Sequence, residues 1–174
     1  MSSFLEHPGT VGRLRGRVVE EHPDVAAATQ TVWVAVYPAG DGEVAWEGLR
    51  ARPSGEGRAV LVAVPVFAYD LALGDEVEVV ATAEGPLVVV RRLQDAGRAT
   101  FRVWFPDWPD LERDDRAAEL QRELGRFGCW FDVYSPSLVA VSAEPDAVQA
   151  VADHLAEQER AGRFIFEPGR PSAP

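Results

Sequence analysis

The alternation of apolar and polar residues divides the chain into two rhythms. From Thr31 the period is two, which marks strands with one buried face. Val32-Trp33-Val34-Ala35-Val36-Tyr37 predicts a strand closed by Pro38 and a Gly40-Asp41-Gly42 turn. Val44 to Ala51 predicts the next, with Val44, Trp46 and Leu49 as its apolar members, followed by a loop from Pro53 to Gly57. Arg58 to Val64, Glu76 to Thr82 and Leu87 to Leu93 complete the series, the last two joined at Glu84-Gly85-Pro86. Short, near-regularly spaced strands with glycine turns indicate a small barrel or a curled sheet.

The rhythm changes after Gln94-Asp95-Ala96-Gly97. Thr100 to Phe105 predicts a strand, and Asp110 to Phe127 a helix with Ala117, Leu120, Leu124 and Phe127 on one stripe. Asp110 suits its N-cap and Gly128 the position just past its end. Cys129 to Tyr134 and Leu138 to Ser142 predict a hairpin. A second helix opens at Pro145, carries Val148, Val151 and Leu155 and stops at Gly162, before a last strand over Arg163 to Glu167. The order β-α-β-β-α-β is the ferredoxin-like one. The expected fold is therefore α+β: a β-barrel-like half over residues 29–97, a ferredoxin-like half over 98–167, and a disordered tail over 168–174. Residues 1–28 form an N-terminal extension with one edge strand, in which Arg13, Arg15 and Arg17 alternate with Leu14, Gly16 and Val18.

The first half turns on Val64-Pro65-Val66-Phe67-Ala68-Tyr69-Asp70-Leu71-Ala72-Leu73-Gly74-Asp75. It reads as a strand end, an aromatic corner and a tight turn, because glycine accepts positive φ and Asp hydrogen-bonds neighbouring amides. With Ala45-Trp46-Glu47, Ala96-Gly97-Arg98-Ala99-Thr100-Phe101-Arg102-Val103 and the closing Ala161-Gly162-Arg163-Phe164, this passage resembles a bacterial family catalogued as domain of unknown function 4265. The likeness runs over about residues 30 to 168. It implies a shared fold and no particular activity.

Composition narrows the function. The formal net charge is −11, and all 17 basic residues are Arg. An acidic chain is a poor match for phosphate backbones or anionic membranes, so neither nucleic acid nor membrane is expected as a partner. Its field favours a basic protein partner. A single cysteine, Cys129, and an N-terminus without a basic start or apolar core point to a cytoplasmic protein.

The chain lacks a phosphate-binding glycine loop, paired cysteines, a His-Glu-x-x-His motif and a nucleophile elbow, so no catalytic residue, metal or cofactor is assigned. Cys129 with His154 is the one conceivable thiol dyad, but Cys129 shares a strand face with Phe131 and Val133, where burial makes a thiol inert. Asp107, Asp110, Glu112, Asp114 and Asp115 cluster at a helix start, which the helix dipole explains without a metal.

Two groups of candidate binding residues remain. If Phe101, Val103 and Phe105 face the helices, then Arg102 and Trp104 face away, as do Trp130, Asp132 and Tyr134 when Phe131 faces in. That face gathers Trp104, Trp130 and Tyr134 around Arg102, with Arg98 at its end. So much aromatic area requires cover, from the N-terminal half or from a homodimer. Either Phe67 and Tyr69 plug the barrel end, or Phe67, Tyr69, Asp70 and Asp75 line a cleft between the halves. The leading expectation is a non-enzymatic protein-interaction module, in one version an acidic immunity- or inhibitor-type protein that neutralises a basic partner. The alternative is a small-molecule-sensing regulatory domain with its ligand in the cleft.

Overall fold

A computed structural model describes residues 3–37, 43–106 and 115–169. Its first strands are β1 (Ser3–Glu6), β2 (Gly12–Arg15), β3 (Val18–Glu21), β4 (Gln30–Val36), β5 (Ala45–Gly55), β6 (Arg58–Leu61), β7 (Glu76–Ala81) and β8 (Leu87–Gln94). Then come β9 (Ala99–Trp104), α1 (Arg116–Gly125), β10 (Trp130–Ser135), β11 (Leu138–Ala143), α2 (Val148–Arg160) and β12 (Ile165–Pro168). The fold is α+β and mostly strand.

The first sheet closes because β5 is long enough to pair with β4 along one edge and with both β1 and β6 along the other. Ala51 faces Gln30 of β4 on one side and Leu61 of β6 on the other. With β7 and β8 completing the ring, β4 to β8 form a closed five-stranded barrel. Its interior is hydrocarbon: Val32, Leu49, Leu61, Val77 and Val79, plugged by Ala68 and Leu71 from the aromatic corner. β5 runs through the expected Pro53-to-Gly57 loop as far as Gly55, with a bulge that accommodates Pro53.

The second sheet has the order β12-β9-β11-β10-β2-β3. One face lies beneath both helices, where Phe101, Val103, Phe131 and Val141 meet Leu120, Leu124, Val151 and Leu155. The other face packs on the barrel half through Trp130, Ala140, Val62, Val64, Val66 and Leu73. Internal burial thus answers the need for cover, and the seam between the halves has a core of its own.

Residues 1–28 depart furthest from expectation: three strands stand where the pattern predicts one. β1 adds to the barrel sheet parallel to β5, while β2 and β3 form a hairpin on β10. The alternation counted Gly16 inside a strand, but its φ of +65° makes it the turn, a conformation glycine adopts without strain. The hairpin widens the expected four-stranded sheet to six strands. At the other end, the tail begins pinned: Gly169 N–H donates to Thr100 O at 2.6 Å and its carbonyl accepts from Asp70 N–H at 3.2 Å. Residues 170–174, like the expected N-cap Asp110, lie outside the described residues.

Candidate functional site

The seam is organised by a carboxylate. On β5 the inward positions are Ala45, Glu47, Leu49 and Ala51, all buried, with Glu47 at 0% exposure. Trp46 belongs to the outer face, so reading it as the apolar side of this strand assigns the wrong parity. A buried carboxylate needs donors. Glu47 Oε1 accepts from Val66 N–H at 2.6 Å, and Oε2 from Phe67 N–H at 3.1 Å and Ala68 N–H at 2.6 Å. Three consecutive amides of the aromatic corner thus close on one side chain.

His7, between β1 and β2, supplies the countercharge. Its Nε2 lies 2.8 Å from Glu47 Oε1, and its Nδ1 lies 2.8 Å from Asp132 Oδ2 on β10, the latter as an ion pair without aligned hydrogen-bond geometry. Burial by itself favours neutral imidazole, but the two carboxylates outweigh it and raise the His7 pKa from 6.5 to about 9. The three side chains are at most 3% exposed. They tie the N-terminal arm, the barrel and the second sheet together. Sequence reading missed Glu47 and His7. The available signal was a charge at an inward position of β5.

Asp75 is a structural partner rather than part of a cleft. It is fully buried; Oδ2 accepts from Ala72 N–H at 3.0 Å and Oδ1 from Ala96 N–H at 2.8 Å, with Arg92 3.7 Å away. Asp70 holds a φ of +61°, and its carbonyl accepts from Arg92 Nη1 at 2.8 Å. Arg98 pairs with Glu144 and donates to Ser142 Oγ at 3.2 Å. These three lie apart from the cleft lining.

The aromatic face divides. Trp130 is buried, with Arg13 4.2 Å above its ring and His22 edge-on at 4.8 Å. Tyr134 meets Phe67 at 4.9 Å and a perpendicular angle. Both belong to the seam core, where the N-terminal half supplies the cover that this aromatic face requires. Arg102 itself is 5% exposed; its Nη2 donates to Ala68 O at 2.5 Å and its guanidinium stacks 4.2 Å from the Tyr69 ring. Tyr69 OH donates to Glu167 at 2.9 Å, and Glu167 lies 3.4 Å from Arg102 Nη1. Arg102 Nε has no hydrogen-bond partner among the described residues. Beside this group opens a cleft of about 360 Å³, lined by Phe67, Arg102, Trp104, Leu138, Ile165 and Glu167 among others. Trp104 stands at 49% exposure.

Residues 47–165 match a family model described as Domain of unknown function (DUF4265). The chain belongs to this family. The matched span opens on Glu47 and contains the corner whose amides it binds, so the carboxylate and its receptor are both inside it, while His7 lies ahead of it. A solved structure, a hypothetical protein from Neisseria gonorrhoeae, is similar in fold: TM-score 0.67 at 18% identity, over 83% of this chain and 96% of that one. No curated protein matches.

Elsewhere in this DUF4265 chain, Cys129 is buried and burial pushes its thiol up to about 12, so it is held protonated. His154 instead contacts Glu123 and Arg126, each at 3.2 Å. Of the acidic cluster, Asp107, Asp110, Glu112 and Asp114 lie outside the described residues, and Asp115 makes no side-chain capping bond. Among the described residues, no group of three His, Cys, Asp or Glu is placed to hold a metal, and no helix is long and apolar enough to cross a membrane.

Proposed function

We propose that this protein is a ligand-sensing regulatory module whose seam cleft holds a small amphipathic molecule. The observation that carries the reading is Arg102, a cleft-lining side chain buried to 5% exposure with its Nε unpartnered. An unmatched buried donor costs about 1–3 kcal/mol, which an acceptor oxygen would recover once the guanidinium turns to meet it in the cleft. Phe67, Trp104, Leu138 and Ile165 offer apolar walls for a ring-sized body. The ligand class is therefore a compact apolar group bearing one carboxylate or carbonyl oxygen. Because the cleft lies on the seam, occupancy would bear on how firmly the two halves are joined.

A thermal-shift panel of aromatic and branched carboxylic acids, each beside its primary amide, tests this. A ligand at a hundred times its dissociation constant stabilises by about 2.7 kcal/mol. Trp104→Ala, which gives up the buried half of the ring, should cost about 1–3 kcal/mol of basal stability while leaving the protein folded and abolishing the ligand response. A flat panel sinks the reading, and so does an undiminished response in that variant.

A second reading is supported by the −11 net charge: engagement of a basic protein partner, as an immunity- or inhibitor-type protein would do. With Trp130 and Tyr134 internal, such binding rests on charge, and a pull-down should lose the partner at high salt. Both readings are non-enzymatic and place the protein in the cytoplasm. We also read the second half as a ferredoxin-like unit extended by the hairpin, on the support of the run β12-β9-β11-β10 in its sheet.

A further inference from the structure

A row of aromatic side chains crosses the outside of the barrel, turned away from its core. The parallel register sets Phe4 beside Trp46, β4 sets Trp33 beside Gly48, and β8 sets Val88 beside Trp33. Residues directly opposite share a sheet face, as do residues two apart on one strand. Phe4, Trp46, Trp33 and Val88 therefore project from one surface of four adjacent strands. Gly48 leaves the space between the tryptophans open. A Cβ there would fall 2.9 Å from the Trp33 ring, so that ring lies close over the strand. Phe4 meets Trp33 edge-on, with centroids 5.2 Å apart at 86°. The β7–β8 turn closes one side with Glu84, leaving a hollow of about 200 Å³.

Core packing does not account for this row, since Phe4 is 62% exposed. The lining contains no basic residue, and its one charged group is Glu84. Glu84 is exposed and has no ion pair or hydrogen bond among the described residues.

We infer that this hollow binds an alkylated ammonium group, seated against Phe4, Trp33 and Trp46 with its charge countered by Glu84. Aromatic faces carry negative quadrupole density that attracts a cation. A primary ammonium would forfeit water hydrogen bonds that few groups here replace, whereas an alkylated one has few to lose. An anion would meet Glu84 and the field of a chain with net charge −11. A tetramethylammonium ion has five heavy atoms and occupies roughly five water volumes, ~150 Å³, which the hollow accommodates.

The test follows the indole N–H resonances of isotope-labelled protein, assigned with Trp33→Phe and Trp46→Phe. Tetramethylammonium chloride is titrated against a sodium chloride blank and against neopentyl alcohol, which has a similar shape and no charge. Saturable shifts confined to Trp33 and Trp46 are expected, with the alcohol roughly tenfold weaker. Glu84→Gln, in an exposed turn that tolerates the change, should weaken the cation several-fold and leave the alcohol unaffected. The inference is overturned if the alcohol binds as tightly as the cation, if Glu84→Gln changes nothing, or if the shifts match the blank. Choline and phosphatidylcholine vesicles present the same group. Saturation by free choline assigns a solute, whereas cosedimentation with vesicles that Glu84→Gln abolishes assigns a lipid headgroup.

Discussion

The second sheet is packed by different chemistry on its two faces. Beneath α1 and α2 the contact is hydrocarbon throughout, from Phe101 and Phe131 to Leu124 and Leu155. Toward the barrel, Thr100, Arg102, Asp132 and Ser142 are buried on the sheet, with Glu47 and Asp75 arriving from the other side. Apolar surfaces gain from contact in many registers, but a buried charge is satisfied only where its partners stand. The helices therefore supply adhesion. The seam supplies alignment, and the candidate cleft is found along it.

The sharpest way to break this contrast is Glu47→Ala. It strands three amides and a buried imidazolium, and losing one partner of a buried charge pair costs about 3–5 kcal/mol. Urea unfolding measures it; a loss below about 1 kcal/mol would show the seam carboxylate to be dispensable.

Leu155→Ala, under the helices, should cost a comparable or smaller 2–5 kcal/mol, roughly, by leaving a cavity, with the pH profile of stability unchanged. The seam differs on that second measure. His7 binds its proton more tightly folded than unfolded, so its contribution is complete below pH 6.5 and disappears as pH rises through about 9. The shift corresponds to about 3 kcal/mol. The wild type should lose that much of its unfolding free energy across this interval, and Leu155→Ala should show the same slope. His7→Gln should flatten it. A sloped His7→Gln profile would mean that the two faces cannot be separated in this way.

Much of the architecture is legible locally. The period-two runs from Val32 to Leu93 place the barrel strands, and the stripe through Leu120 and Leu124 places α1, because both elements bury a periodic face. The Gly74-Asp75 turn was readable down to its chemistry, with the Asp75 carboxylate accepting from nearby amides. The seam was harder to read. Trp46 looks like a core residue and Glu47 like a surface one, and only the pairing of β5 with β4 and β1 reverses them. His7 has no periodic context at all; its two partners come from β5 and β10. The five-stranded closure likewise depends on β5 pairing with β6 beyond the stretch that β1 covers, which no local pattern reports.

The hairpin at the N-terminus has a consequence for synthesis. Gly12 pairs with Phe131, so the β2–β3 hairpin leaves the ribosome long before the strand it must join. At 5–20 residues per second that wait is roughly ten seconds. Val18 and Val19 are exposed even in the finished fold, and an unpaired apolar hairpin edge invites association with another nascent chain. Arg13 and Arg15 of β2 pair with Glu20 of β3 inside the hairpin, so the edge that waits carries charged side chains, which discourage such association.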